Sequence, residues 1–373
     1  MDRENIDILL ITEGDFEIES PVALNKLLMI ILNETNNVYL ITFYNEKYIL
    51  NLSRRKILSL RNEGNRFKKF ISAQIMISKA ILSIYRRNNI GTIMFAFGQD
   101  LQILPIILAK MVGKRIVIRS DGRPTHVLKK YIKNYSLLKW CLYKVIEEIN
   151  YRLADTVITE CNYMILEYNF QKYKSQEGGN LFIDINKFIN KTHLRNRGYE
   201  IGFVGRLSQE KGILNFLKAL GLFNTDSNVI IIGDGREREN VLSEMQLLES
   251  INKLNIKYIG WIENDILPKY LNEIKLLVVP SFVEGLPNIV LEAMACGTVV
   301  LATPVGGIPG VIKDGETGFI MENNSPECIA ENIIRALNHP NLEKITKNAR
   351  ALMEREFAYE KAVEKYRKIL ENI

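Results

Sequence analysis

The chain has little of what builds metal sites or covalent scaffolds. Its four cysteines, Cys141, Cys161, Cys296 and Cys328, are scattered and form no Cys-x-x-Cys pair. Neither a disulfide framework nor a zinc site is indicated. The three histidines, His126, His193 and His339, lie far apart and show no metal spacing. No Asp-x-Asp stands at the end of a strand pattern. No apolar run reaches the ~20 residues that cross a bilayer. The start, M-D-R-E-N-I-D-I-L-L-I-T, enters a strand pattern without a signal-peptide arrangement, so a cytoplasmic location is expected. Acids are scarce in one block. Residues 47–144 hold 21 Lys and Arg against three acids, Glu63, Asp100 and Asp121, a net of +18. Such a block calls for phosphates, nucleic acid or an anionic membrane surface.

What is present is ordinary for a folded protein, with 47% hydrophobic and 25% charged residues. At 373 residues, two domains are expected. In the first, I-D-I-L-L-I-T (6–12), V-Y-L-I-T-F (38–43), residues 92–97, R-I-V-I-R (115–119) and residues 155–159 read as strands. Between them lie helix patterns from Pro21, over 66–87, over 100–112 and over 127–149. The last alternates Lys with Tyr, Trp and Leu. It suits either an anionic membrane surface or a core helix with a solvated lysine face. The loop after the first strand carries Gly14, where backbone could approach a ligand or simply turn. The fourth strand ends in S-D-G-R-P, which puts Asp121 at a carboxyl end, as a site residue or as part of an Asp-Gly turn.

A polar stretch with Gly-Gly begins near residue 171, and a linker is expected from there to Gly198. The predicted domains are 1–180 and 181–354, with a helix over 355–373. In the second domain E-I-G-F-V-G, N-V-I-I-I-G, K-Y-I-G-W, I-K-L-L-V-V and T-V-V-L-A-T alternate with helix patterns, which implies a parallel sheet. The tail from Ser325 reads as helical throughout.

Two stretches of this domain carry chemistry. In P-S-F-V-E-G-L-P-N-I-V-L-E-A-M-A-C-G (280–297), a buried strand runs into a loop and then a helix from Asn288 to Cys296. Pro287 suits the first turn and Gly297 the end. The loop offers backbone N–H groups at a positive helix end. Glu284 and Glu292 flank it, a set suited to a ligand with both hydroxyls and phosphates. A strand, a loop and a surface helix with two solvated acids is the plainer reading. The second stretch is Gly205-Arg206-Leu207-Ser208-Gln209-Glu210-Lys211-Gly212. Gly205 permits a sharp turn. Arg206 and Lys211 place two cations at the carboxyl end of the sheet, where a departing diphosphate needs them. Two surface cations near a helix start are the alternative.

Together and in this order, the motifs resemble the retaining glycosyltransferases of family 4, which have the GT-B fold. The resemblance rests on Gly205, Arg206, Leu207, Lys211, Gly212, Pro280, Ser281, Glu284, Gly285, Glu292 and Ala293. It extends through Gly306-Gly307-Ile308-Pro309 and Asp314-Gly315-Glu316-Thr317-Gly318, and covers roughly residues 180–340. It implies an α/β fold of two Rossmann-like parallel-sheet domains facing a cleft. It also implies sugar transfer from a nucleotide-diphosphate sugar to a saccharide or lipid-linked acceptor, with the anomeric configuration kept. Arg206 and Lys211 would bind the diphosphate, Glu292 the ribose, and Glu284 the hydroxyls of the transferred sugar. Gly285, Leu286, Pro287 and Asn288 would present backbone to sugar and phosphate. Gly14 would face the diphosphate from the first domain, and the last helix would cross back onto that domain. The donor is a substrate. No cofactor and no metal are implied, and the leaving phosphate itself would take the acceptor's proton.

The first domain departs from the family pattern. Where members often have Gly-Gly in the first loop, this chain has Gly14-Asp15-Phe16-Glu17. Where many have a His after the fourth strand, it has Arg119-Ser120-Asp121-Gly122. Either Asp121 takes that place or the position is used differently. Gly310 stands where the family has a Glu. The basic block falls in the acceptor domain, so a lipid-linked acceptor at an anionic inner membrane surface is expected. Nucleic acid is not, because it would leave the sugar-nucleotide motifs unexplained. A sugar-nucleotide epimerase on the same fold, or a non-catalytic relative, are the rival readings.

Overall fold

The structure is a computed structural model. It describes residues 7–12, 22–44, 46–49, 55–61, 66–97, 101–131, 136–178, 181–222, 227–251 and 254–372. The chain divides into two compact units, Met1–Phe182 with Glu360–Ile373, and Ile183–Tyr359.

The first unit is built on a parallel sheet of β1 (Asp7–Thr12), β2 (Asn37–Thr42), β3 (Arg55–Ser59), β4 (Thr92–Ala96), β5 (Arg115–Arg119), β6 (Thr156–Thr159) and β7 (Ser175–Glu177). Among the described residues the order is β3-β2-β1-β4-β5-β6-β7. The central strands are buried over almost their whole length, as continuous apolar runs must be when helices cover both faces. The helices are α1 (Val22–Glu34), α2 (Arg66–Tyr85), α3 (Ile103–Met111), α4 (Pro124–Tyr131), α5 (Leu137–Leu153) and α6 (Asn162–Glu167).

The second unit repeats the plan with β8 (Tyr199–Val204), β9 (Ser227–Ile232), β10 (Leu254–Ile259), β11 (Ile274–Val279), β12 (Val299–Ala302) and β13 (Phe319–Ile320), in the order β10-β9-β8-β11-β12-β13. Its helices are α7 (Ile213–Leu220), α8 (Arg238–Ile251), α9 (Leu267–Leu271), α10 (Asn288–Ala295), α11 (Ile308–Val311), α12 (Pro326–Leu337) and α13 (Leu342–Glu356). The chain ends in α14 (Tyr359–Glu371). All but its first residue belongs to the first unit. There Arg367 pairs in a fork with Glu34 at 2.9 Å, and Lys365 with Glu177. The expected fold class, two Rossmann-like α/β domains with parallel sheets as in GT-B proteins, is the one observed.

Four details differ from the sequence reading. Arg55–Ser59, which begins with two cations, and Phe319–Ile320, only two residues long, are edge strands that the sequence pattern does not announce. The first of these makes R-I-V-I-R the fifth strand. The expected helix over 127–149 is two helices, because Ser136 caps a new start by accepting from the Lys139 N–H at 3.4 Å. The helical tail breaks between α12, α13 and α14.

The fourth difference is the linker, which is not loose. Ser175–Glu177 pairs with β6. Arg197, only 4% exposed, donates to the carbonyls of Leu271, Ile274 and Cys296 and to the Thr298 hydroxyl. Asn272 bridges the Lys191 N–H and the Ile189 carbonyl at 2.6 and 2.9 Å.

Candidate functional site

In each sheet the strand order reverses once, between β1 and β4 and between β8 and β11. Doubly wound sheets bind ligands outside the carboxyl ends of the strands at such a reversal. In the second unit the two loops there are the two motif stretches. Residues 205–212 follow β8, and residues 280–287 follow β11.

The loops are locked together. Phe282 N–H donates to the Glu210 carbonyl at 2.8 Å. Gly212 sits at φ +72°, and a Cβ there would lie 2.1 Å from the Pro280 carbonyl oxygen. Only glycine permits both the left-handed backbone and that approach. Gly306, at φ +57°, repeats the device. A Cβ there would come 2.1 Å from the Glu284 carbonyl oxygen, and the next N–H, of Gly307, donates to the Gly285 carbonyl at 2.5 Å. The Gly-Gly-Ile-Pro stretch thus braces the Glu284 loop from behind.

On this frame Lys211 donates to both carboxylate oxygens of Glu284, at 2.7 and 2.8 Å. The Ser281 hydroxyl donates to one of them at 2.7 Å. Ser281 is itself held, because its carbonyl accepts from Thr303 Oγ1 at 2.6 Å. The Glu284 side chain is 8% exposed and that of Lys211 26%. Arg206 extends into solvent and lies 3.7 Å from Glu210, a loose pair that leaves the guanidinium able to swing.

Leu286 and Pro287 are buried under the loop. Pro287 is the N-cap of α10 and has no side-chain group to accept from the first turn, so those N–H groups depend on other partners. One turn on, Glu292 is 5% exposed and accepts from Asn264 Nδ2 at 3.1 Å. Lys187 holds Asn264 by its amide oxygen at 2.6 Å. A buried carboxylate is thereby fixed by a neutral donor that is itself oriented by a cation.

The structure therefore gathers Gly205, Arg206, Lys211, Glu284, Gly285, Leu286, Pro287, Asn288 and Glu292 in one unit, around the end of one sheet. Asp121 is in the first unit. It follows β5, one strand away from that sheet's reversal. The buried Arg119 donates to it at 2.5 Å and also pairs with Glu160, with its guanidinium 4.4 Å from the centre of the Phe97 ring. Gly14 lies outside the described residues. Sequence reasoning assigned no role to Ser281 and did not single out Asn264 or Lys187. Ser281 was in the motif and could have been found. Asn264 and Lys187 lie in unremarkable polar stretches and carry no such signal.

Residues 184–352 match the family model described as glycosyl transferases group 1. An uncharacterized glycosyltransferase of Methanocaldococcus jannaschii is 31% identical over 187 residues, 50% of this chain and 52% of the relative. The capsular polysaccharide biosynthesis glycosyltransferase CapM of Staphylococcus aureus is 32% identical over 181 residues, 47% of each chain. The chain spans about half the length of the curated relatives it matches.

Two solved structures extend the likeness to nearly the full chain. Sucrose-phosphate synthase from Thermosynechococcus elongatus superposes with a TM-score of 0.81 at 17% identity, covering 99% of both chains. Anabaena HepE in complex with UDP does so with a TM-score of 0.75 at 16% identity, covering 99% of this chain and 100% of that one. At such identities the likeness carries the fold.

Proposed function

We propose that this protein is a glycosyltransferase that moves a sugar from a nucleotide-diphosphate donor to a saccharide or lipid-linked acceptor with retention of configuration. The observation that carries the reading is the Lys211–Glu284 pair, braced by Ser281 at the sheet reversal and followed by the buried Glu292. Lys211 spends two of its three N–H donors on Glu284, and the third remains for a phosphate oxygen. Arg206, mobile and forked, suits the second phosphate. Glu292, oriented by Asn264, would accept from the ribose hydroxyls. Glu284 would hold hydroxyls of the transferred sugar. The first turn of α10 and the N–H groups of Gly285, Leu286 and Asn288 would face sugar and phosphate. Gly14 and Asp121 would serve from the first unit, as donor-side backbone and at the reacting sugar. Residues 1–180 would receive the acceptor, 181–354 the donor, and 355–373 tie into the first of these.

In the proposed reaction the bond from the anomeric carbon to the diphosphate breaks, and its electron pair leaves with the phosphate. The acceptor hydroxyl attacks from the same face, and the departing phosphate oxygen takes its proton. Arg206, Lys211 and the α10 end would stabilise the growing negative charge, so the step needs no metal. The UDP bound by HepE makes uridine diphosphate sugars the first donors to try, and the CapM likeness favours a cell-surface polysaccharide or glycolipid product.

The test is thermal melting against a panel of nucleotides and sugar nucleotides, wild type beside Lys211→Ala. A ligand of the folded state raises the melting point. One diphosphate sugar should stabilise the wild type and lose most of its effect in the variant. A panel without any shift, or an undiminished shift in Lys211→Ala, would count against the reading.

A further inference from the structure

The layer of α2, α3 and α5 in the first unit has a second apolar face, turned away from the sheet. Helix α5 buries Ile146, Glu147, Asn150 and Tyr151. On its opposite side Leu138, Leu142, Val145 and Ile149 are exposed, with Leu138 81% accessible. Their spacing of four, three and four puts them in one stripe. Helix α3 packs against both α2 and α5. It presents its own stripe of Leu104, Ile107 and Met111, with Met111 78% exposed. On α2 Ile71 and Ile75, one turn apart, are exposed as well. Three neighbouring helices thus each leave an outward apolar row, which is far more than scattered surface leucines.

The charges on these three helices are almost all of one sign. Helices α2 and α3 contain no acid, and neither does α5 before Glu147. Lys68, Lys69, Lys79, Lys139 and Lys144 are exposed on them, while Lys110 is paired with Asp155 at 2.8 Å. Glu147 is fully buried under Thr125 and Arg123. Glu148 is occupied by Arg152 and Lys172.

We propose that the α2–α3–α5 face is a docking surface for an anionic lipid bilayer. Its leucines, isoleucines and methionine enter the headgroup–acyl boundary while its lysines meet lipid phosphates. An apolar stripe rimmed by cations with long aliphatic stems is what that boundary rewards. A second copy of this chain fits the face poorly, because it would set one +18 segment against another. Nucleic acid would engage the lysines and leave the leucines without a role. No helix among the described residues is long and apolar enough to cross a membrane. The proposal stands independently of the sugar donor.

Flotation of the full chain with phosphatidylcholine vesicles, with and without phosphatidylglycerol, tests it. The wild type should float with the anionic vesicles only, and less so as salt rises. The double substitution Leu138→Asp, Leu142→Asp lies on exposed positions, so its melting curve should be unchanged and its vesicle affinity should fall roughly tenfold or more. Leu222→Asp with Leu247→Asp, on exposed positions of the second unit, should leave flotation as it was. Three results would overturn the proposal. One is failure of the wild type to float on anionic vesicles. Another is flotation that survives the Leu138, Leu142 double and is competed away by RNA. The third is a dimer in sedimentation analysis that the same double dissolves.

Discussion

Lys211 and Glu284 are 73 residues apart in sequence and join through both carboxylate oxygens, at 2.7 and 2.8 Å. The pair fastens the loop after β8 to the loop after β11, across the sheet reversal. It positions the cation assigned to the diphosphate and the carboxylate assigned to the sugar as one object.

Each partner of that pair should fail differently. Lys211→Ala leaves a carboxylate that is 8% exposed with Ser281 as its remaining side-chain donor among the described residues, so unfolding should cost about 1–3 kcal/mol less. Glu284→Gln keeps the shape and one acceptor but turns an NH2 donor toward the Lys211 ammonium, so it should destabilise less than Lys211→Ala while sugar transfer falls by about a hundredfold. Urea denaturation and a product assay on both variants separate the two effects.

Arg197 should prove structural. Arg197→Met removes the donor to the Ile274 and Cys296 carbonyls and to the Thr298 hydroxyl, leaves the Leu271 carbonyl with Thr298 Oγ1, and should cost about 3 kcal/mol or more. Arg197→Lys should recover little, since an ammonium cannot reproduce the planar fork. Chemical denaturation monitored on the second unit reads this out.

Burial pushes the Cys296 thiol up to about 12, outweighing the neighbouring Arg197. Its folded value lies above the unfolded one of about 9, so its contribution to stability is intact below pH 9 and is lost as pH climbs from there toward 12. Alkylation of the native protein at mildly alkaline pH should label the exposed Cys141 and spare Cys296 until the chain unfolds. Mass spectrometry of the labelled peptides checks the order.

Glu148 runs the other way. Burial would raise it, but hydrogen bonds from Lys172, Tyr173 and Arg152 prevail and hold it at about 2. The folded value is below the usual 4.5, so the stabilisation is present above that pH and is lost as pH falls from 4.5 toward 2. Glu148→Gln should flatten the dependence of melting temperature on pH in that window. An unchanged slope would assign the acid sensitivity elsewhere.

The parts of this account that were legible in the sequence are those written in consecutive residues. Buried central strands such as β1 and β11 announce themselves as apolar runs. Gly212 and Gly306, the glycines that meet backbone, stand in the motif stretches that carry the resemblance. Pairings set by tertiary approach were not legible. Nothing local says that Asn264 reaches Glu292, or that Arg119 turns inward to Glu160 as well as Asp121. Arg197 lies in a stretch whose polarity reads as linker, yet its guanidinium is buried. The edge strand Arg55–Ser59 begins with two cations, and its pairing with β2 decides it where its pattern does not.

Nucleotide binding at the β8–β11 reversal is read directly by calorimetric titration of UDP into the wild type, Lys211→Ala and Glu292→Gln. Saturable binding at one site is expected in the wild type, weakened about tenfold or more in each variant. Equal affinity in all three proteins, or no binding of UDP or any other nucleoside diphosphate, would contradict it.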